Sequence, residues 1–276
     1  MLKKLLKYDF LSLRRFLIPL YSLTPVLALL AGLLSWIATK SDHPLVYLGL
    51  QSIYWFSTVA LVLSAALLPV LLVVNYYKGM YSDAGYLTLL LPVKRRQLLF
   101  SKLLCTVISL VAYIVVAFFS FGFAFFAGAA AEAGRNPFYA YVIVFTMIGD
   151  FLTTAPINAV LLVIEGLLYL FVLLILEFSN YYFGVTLGAV VFQGKGKIWG
   201  GILFCIVTDV AVSTLLSLVN LAVSGGILAG GADLSSFEST ATLQVFLILG
   251  IVLRLGVAVL INFFNIRMTE KKLNLG

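Results

Sequence analysis

YSDAGYLTLLLPVKRRQLLFSK, residues 81–102, interrupts two long runs of hydrocarbon side chains. It opens on a small-residue turn (Ser82, Asp83, Ala84, Gly85), runs through a Leu-rich stretch to Pro92, and ends with Lys94, Arg95 and Arg96 before Ser101 and Lys102. Tyr86, Leu87, Leu90 and Leu91 stand at i, i+1, i+4 and i+5, the spacing of an apolar helix face that lies into a partner's groove. Pro92 has no amide hydrogen and stops such a helix. The three cations that follow suit lipid headgroups. A short helix over 84–91 is expected, and its meaning depends on the side of a membrane it occupies.

The flanking runs establish the membrane. The chain has 276 residues, 63% of them hydrophobic and only 11% charged, whereas soluble domains are about 45–50% apolar and about 25% charged. The fold class expected is an all-α membrane protein. Six spans of about 20 or more apolar residues fall at 16–38, 48–76, 103–127, 159–192, 198–223 and 243–268, making 16–276 one transmembrane domain. Pro25 and Pro69 are expected to kink the first two. The fourth exceeds a bilayer's need, so it should tilt, protrude or bend near Glu177–Phe178–Ser179–Asn180. Residues 1–15 read as a separate interfacial helix. Leu2, Leu5, Leu6, Phe10, Leu13, Phe16 and Leu17 share one arc; Lys3, Lys4, Lys7, Arg14 and Arg15 share the other, with Leu11 and Asp9 out of pattern. Arg14 and Arg15 come too late for a signal peptide, and no A-x-A site follows, so this segment is expected to stay in the mature chain.

Charge sets the topology. With the N-terminus inside and six spans, the inner segments hold Lys3, Lys4, Lys7, Arg14, Arg15, then Lys78, Lys94, Arg95, Arg96, Lys102, then Lys195, Lys197, and finally Arg267, Lys271, Lys272. The outer segments hold Lys40 and Arg135. A seventh span at 136–156 would throw the last five inner cations outside, against the positive-inside rule. That aromatic segment is therefore read as interfacial or re-entrant on the outer face. The net charge of +7 is thus a topology signal; without a basic face on a soluble domain it does not indicate nucleic acid as a partner.

Few groups can carry chemistry. His43 is the sole histidine and Cys105 and Cys205 lie in spans, which leaves no His-based metal set, Ser/His/Asp triad or CxxC pair. In GAVVFQGKGK, residues 188–197, five residues separate Gly188 from Gly194 and Gly196 stands where a phosphate loop needs Ser or Thr. Four ionisable residues lie inside spans: Glu165, Glu177, Asp209 and Arg254. Such groups are costly in hydrocarbon and are functional candidates by default. Glu165 and Glu177 fall about 120° apart around an ideal helix, so at least one should face a partner subunit or a wet cavity. Asp209 and Arg254 are each about 16 Å deep at about 1.5 Å per residue. A structural ion pair is the favoured reading for them, with a shared wet cavity as its counterpart.

Placed on the inner side, the opening stretch resembles the permease subunits of bacterial ABC-2 type exporters. The residues that carry the resemblance are Gly85, Tyr86, Leu87, the run from Leu89 to Val93, and Ser101 with Lys102. The amphipathic start and the basic tail RMTEKKLNL are similar too. The Lys94–Arg95–Arg96 cluster is heavier than the family usually shows. The resemblance implies a permease that pairs with a second permease copy and with a separate cytosolic ATPase. ATP and magnesium would then be held by that ATPase, with no cofactor and no catalytic residue in this chain. It further implies that Asp83, Ala84, Gly85, Tyr86, Leu87, Leu90, Leu91 and Pro92 form the coupling element. The outer aromatic segment and small loops look most like exporters of amphipathic peptides such as the phenol-soluble-modulin type; drug, lipid and lantibiotic-immunity exporters share the scaffold. The alternatives are an ion-coupled secondary transporter using Glu177, Asp209 and Arg254, and a membrane-embedded binding subunit.

Overall fold

The computed structural model describes residues 2–81, 95–154, 157–192, 197–229 and 240–272. Among them there are helices and no strands: α1 (Leu2–Thr39), α2 (Pro44–Tyr81), α3 (Arg95–Glu132), α4 (Tyr139–Thr154), α5 (Ile157–Val191), α6 (Lys197–Ala229) and α7 (Thr240–Lys272). The chain is an all-α membrane protein in which all but α4 are long and apolar enough to cross a bilayer. Their outward faces carry large apolar side chains such as Phe56, Leu167, Val210 and Val259, as lipid solvation requires.

Two expected boundaries are absent. No break follows Arg15: α1 runs unbroken from Leu2 to Thr39 with Pro19 and Pro25 inside it, so the separate interfacial helix over 1–15 is corrected to the first turns of one helix. The amphipathic arc persists within it. Leu13 and Leu17 are buried while Lys7, Arg14 and Arg15 are exposed. Proline removes one backbone bond, but hydrocarbon offers that backbone no competing partner, and helices in membranes keep such prolines. In the same way α5 passes through 177–180 unbroken, and Ser179 Oγ donates to the Ile175 carbonyl at 2.7 Å. At about 1.5 Å per residue, the 38 residues of α1, α2 and α3 each extend well beyond a hydrocarbon core of about 30 Å.

The described chain forms two compact units. One comprises Lys7–Leu72 and Ile108–Ala155. Its core joins Ala28, Ala31, Tyr54, Leu61 and Ala124, with Leu27, Leu34 and Phe121 packed around them. Small residues let the backbones approach: a Cβ on Gly32 would lie 2.5 Å from the Phe123 ring, and one on Gly128 2.7 Å from Ser35 Oγ. Buried Thr24 hydrogen-bonds Tyr113 Oη (2.9 Å), linking α1 and α3, and lies 3.4 Å from Ser64 Oγ of α2. Helix α3 ends where Gly134 adopts φ +67°. There Arg135 N–H donates to Ala130 O and Gly134 N–H to Ala131 O, both at 2.9 Å, a paired closure that only a residue tolerant of the left-handed region completes cheaply. Asn136 Oδ1 then caps the next turn, accepting from Tyr139 N–H at 3.0 Å. Helix α4 follows, one uninterrupted piece of 16 residues, about 24 Å and too short to span. It buries Ala140 and Val144 and sets Phe138 and Tyr141 against Phe123 at 5.5 and 5.4 Å.

The other unit comprises Met1–Leu6, Val73–Val107 and Pro156–Gly276. Helix α5 is its hub, packing on both α6 and α7, with Leu176, Leu216, Ala258 and Ile261 at the core. Gly184 and Gly188 form a one-turn pair on α5 that receives α6 backbone to backbone. A Cβ at Gly188 would fall 2.3 Å from Gly201 N, and one at Gly184 2.7 Å from the Cys205 Cα. This is the small-xxx-small contact that replaces hydrophobic driving force between helices in lipid. Gly188→Ala is expected to lower stability by about 1–3 kcal/mol, because backbone cannot yield to a methyl. Gly166→Ala on the same helix, where nothing lies within 4 Å, should stay within about 1 kcal/mol of the parent. Thermal unfolding of both variants in detergent checks the contrast.

Candidate functional site

Polar side chains gather at two levels of the α5-centred unit. The first is at mid-length. Glu177 and Asn180 of α5, Asp209, Ser213 and Ser217 of α6, and Arg254 of α7 line one cavity of about 200 Å³. Asp209, Ser213 and Ser217 recur every four residues and so share a face of α6. Leu173, Leu176, Val212 and Leu216 complete the wall.

Three of the four intramembrane ionisable residues thus come together. Glu177 has Asp209, Tyr181 and Arg254 as its charged and polar neighbours, and Asn180 Nδ2 donates to Asp209 Oδ1 at 3.4 Å. The favoured ion pair is corrected: Asp209 and Arg254 share the cavity without pairing. An ion pair does form elsewhere, between Arg96 and Glu270 at 3.7 Å. The guanidinium of Arg254 lies 4.4 Å from the centre of the Tyr169 ring, and Nη1 donates to the Gly250 carbonyl at 3.4 Å. A cation over a ring face, partly desolvated, keeps favourable electrostatics without a carboxylate. Gly250 makes this arrangement possible, since a Cβ there would lie 2.9 Å from the Tyr169 ring and 3.2 Å from Arg254 Nη1. Glu165 is half-buried, away from the cavity, and its Oε2 is buried without a partner.

The second level lies at the end carrying Lys78, Arg95 and Lys102, and sequence reasoning missed it. Tyr76 stacks on Tyr182, ring centres 3.7 Å apart and 8° from parallel. Tyr81 Oη donates to Thr186 Oγ1 at 2.8 Å, and Tyr76 Oη lies 3.3 Å from the same oxygen. Thr186 directs its single proton at Asn265 Oδ1 (2.7 Å) or the Tyr182 carbonyl (2.8 Å). Thr106 and Tyr182 join hydroxyl to hydroxyl. Arg95 donates to the Thr269 carbonyl, placing a cation where the last turn of α7 gathers negative partial charge. The end of α2, the start of α3 and the ends of α5 and α7 are thereby tied together. Lys102 is buried against this knot, its Nζ 2.7 Å from where a Gly79 Cβ would stand. The available signal was Thr186 and Asn265 standing beside apolar neighbours, in FGVTLGAVV (183–191) and FFNI (263–266).

Arg95 and Arg96, expected at headgroups, are engaged with the end of α7. Lys7, Arg14 and Arg15 are exposed. The side chains of Lys3 and Lys4, and the whole of Asp83, Ala84, Gly85, Tyr86, Leu87, Leu90, Leu91, Pro92 and Lys94, lie outside the described residues, as does the helix expected over 84–91. Cys105 and Cys205 are not joined in a disulfide, and Cys205 Sγ donates to the Tyr181 carbonyl at 3.3 Å. Comparison with known proteins finds no matching family model, no matching curated protein and no matching solved structure.

Thr186→Val should cost about 1–3 kcal/mol, because it orphans the buried hydroxyls and amide that converge on one oxygen. Thr186→Ser, which keeps that oxygen, should cost less than about 1 kcal/mol. Unfolding in detergent, followed for the two variants in parallel, gives the comparison.

Proposed function

We propose that this chain is the membrane-spanning permease subunit of an ATP-driven exporter of the ABC-2 type, moving an amphipathic substrate out of a bacterial cell. Hydrolysis belongs to a separate cytosolic ATPase, and a second permease copy completes the pathway. Both termini are cytoplasmic in this reading, which rests on the positive-inside distribution of Lys and Arg.

The observation that carries the proposal is the hydrogen-bonded knot at the flanks of the coupling segment. Residues 82–94 begin one residue after Tyr81 and end one residue before Arg95. Tyr81 is bonded to α5 through Thr186, and Arg95 to α7 through Thr269. These are the helices that carry Glu177 and Arg254 into the mid-length cavity. A push on the segment by an ATPase would therefore move helices that line a polar cavity, rather than a loop hinged on solvent. Coupling of this kind needs a discrete element that both sites bias, and a buried bonded cluster qualifies because it breaks in steps rather than deforming smoothly.

A second reading, an ion-coupled carrier, is favoured by the two carboxylates of Glu177 and Asp209 within one cavity. Reconstitution separates the two. The exporter needs the ATPase and nucleotide, whereas the carrier moves substrate along an ion gradient in liposomes containing this chain alone.

Tyr86→Glu combined with Leu87→Glu should leave the chain folded in the membrane, since neither residue lies in a span. It should release the ATPase, because burying an aromatic anchor in a groove is worth about 2 kcal/mol or more. Co-purification and transport-linked ATP turnover measure the effect, and a double variant that keeps a normal complex and normal transport would falsify the coupling role of this segment.

A further inference from the structure

The mid-length cavity has a donor and acceptor balance that selects its ligand. Ser213 and Ser217 donate their hydroxyl protons to their own helix, to the carbonyls of Val210 (3.1 Å) and Thr214 (2.8 Å). Each Oγ is left as an acceptor only. Asn180 is 2% exposed, gives its amide N–H to Asp209, and keeps a buried Oδ1 that has no partner. Glu177 and Asp209 add carboxyl oxygens, and Glu177 stands within hydrogen-bond reach of Asp209 and of Tyr181. Arg254, the cation on this wall, is drawn toward the Tyr169 ring and the Gly250 carbonyl. Two acidic side chains thus face one cation whose guanidinium is engaged elsewhere, and a group that brings positive charge and N–H donors complements them at membrane depth. The missing group is therefore a monocation rich in N–H donors.

Size and access narrow it further. About 200 Å³ holds roughly six waters at about 30 Å³ each, far more than a bare monovalent metal ion fills. Leu173, Leu176, Val212 and Leu216 furnish an apolar share of the lining. Ser213 and Ser217 are themselves exposed, as are the neighbouring Val210, Leu215 and Leu218 of α6, so this side of the cavity lies among lipid-facing side chains.

We propose that this cavity binds the primary ammonium headgroup of an amphiphile. The –NH3+ sits between Glu177 and Asp209 and donates to Asn180 Oδ1 and the serine oxygens, while the hydrocarbon tail leaves on that lipid-facing side. Two sources share that chemistry: the amine of a membrane lipid headgroup and a free amphiphilic amine. That the ligand is also the exported cargo rests on the exporter reading. Binding to the isolated chain does not, so a failure of binding and a failure of ATPase coupling are read separately.

The test uses the purified full chain in phosphatidylcholine nanodiscs, with dodecylamine, dodecyltrimethylammonium and dodecyl sulfate as probes and sodium chloride alone as a control, read by saturable shifts in thermal unfolding. Dodecylamine should stabilise the chain, and the quaternary ammonium, which has no N–H donor, should bind at least about tenfold more weakly. Glu177→Gln combined with Asp209→Asn should weaken dodecylamine at least about tenfold without lowering the unfolding temperature of the unliganded chain. Should that variant fail to fold, Ser213→Ala with Ser217→Ala, at exposed positions, should still weaken the amine several-fold. Phosphatidylethanolamine nanodiscs that raise the parent's unfolding temperature and compete with dodecylamine identify the lipid as the source; no effect of that lipid identifies the free amine. Equal binding of the quaternary ammonium, the same stabilisation by sodium alone, or undiminished dodecylamine binding by the charge-neutral variant overturns the proposal.

Discussion

Hydrocarbon neither donates nor accepts hydrogen bonds, and this constraint shapes every other feature of the chain. Each backbone N–H and C=O at membrane depth must be satisfied within the chain, which leaves helices as the economical answer for a polypeptide 63% apolar. The same rule explains why Pro19, Pro25 and Pro69 do not end their helices: a freed carbonyl has no water to turn toward, so unwinding gains nothing. It explains the side chains as well. Hydroxyls along the helices return to carbonyls three or four residues earlier, as Thr58 does to Tyr54, Ser179 to Ile175 and Thr208 to Phe204.

Against that background a polar side chain that reaches another helix is informative. Thr24 with Tyr113 ties α1 to α3, and Asn262 with Ser179 ties α7 to α5 at 2.8 Å. The knot joins three helices at the Thr186 hydroxyl and adds α3 through the bond between Thr106 and Tyr182. Because water is absent, each such bond has few competitors, and its loss strands partners that have nowhere else to go. The two levels of the α5-centred unit then divide by character. The knot is saturated and reads as a fastening. The mid-length cavity has more acceptors than donors and reads as a place for something else to bind.

Between apolar helices in an apolar solvent, association comes from close approach. Gly184 and Gly188 against Gly201 and Cys205, and Gly32 with Gly128 against Phe123 and Ser35, put backbones or ring faces within van der Waals distance, where dispersion is strongest. Gly250 has a different use: by lacking a side chain it lets Arg254 and Tyr169 meet, and so draws the guanidinium away from the carboxylates beside it.

Composition and run length by themselves determined the fold class and the six long apolar helices, and charge parity kept 136–156 from being counted as a further span, because burial in lipid is additive along a chain and is read locally. They also singled out Glu177, Asp209 and Arg254, since any ionisable group in hydrocarbon stands out whatever surrounds it. Helix ends were less legible. The helices continue past the hydrocarbon through Lys78 and Arg96 and from Arg15 back to Leu2, where polarity no longer signals an end. Partners were not legible at all. That Arg254 takes a ring in place of Asp209, that Arg95 and Arg96 bind α7, that Thr186 joins three helices, and that Gly188 meets Gly201 each depend on residues about 45 Å or more apart in extended chain being brought together. Only the tertiary structure decided these, because the side-chain chemistry is satisfied equally well by several partners and packing geometry selects among them.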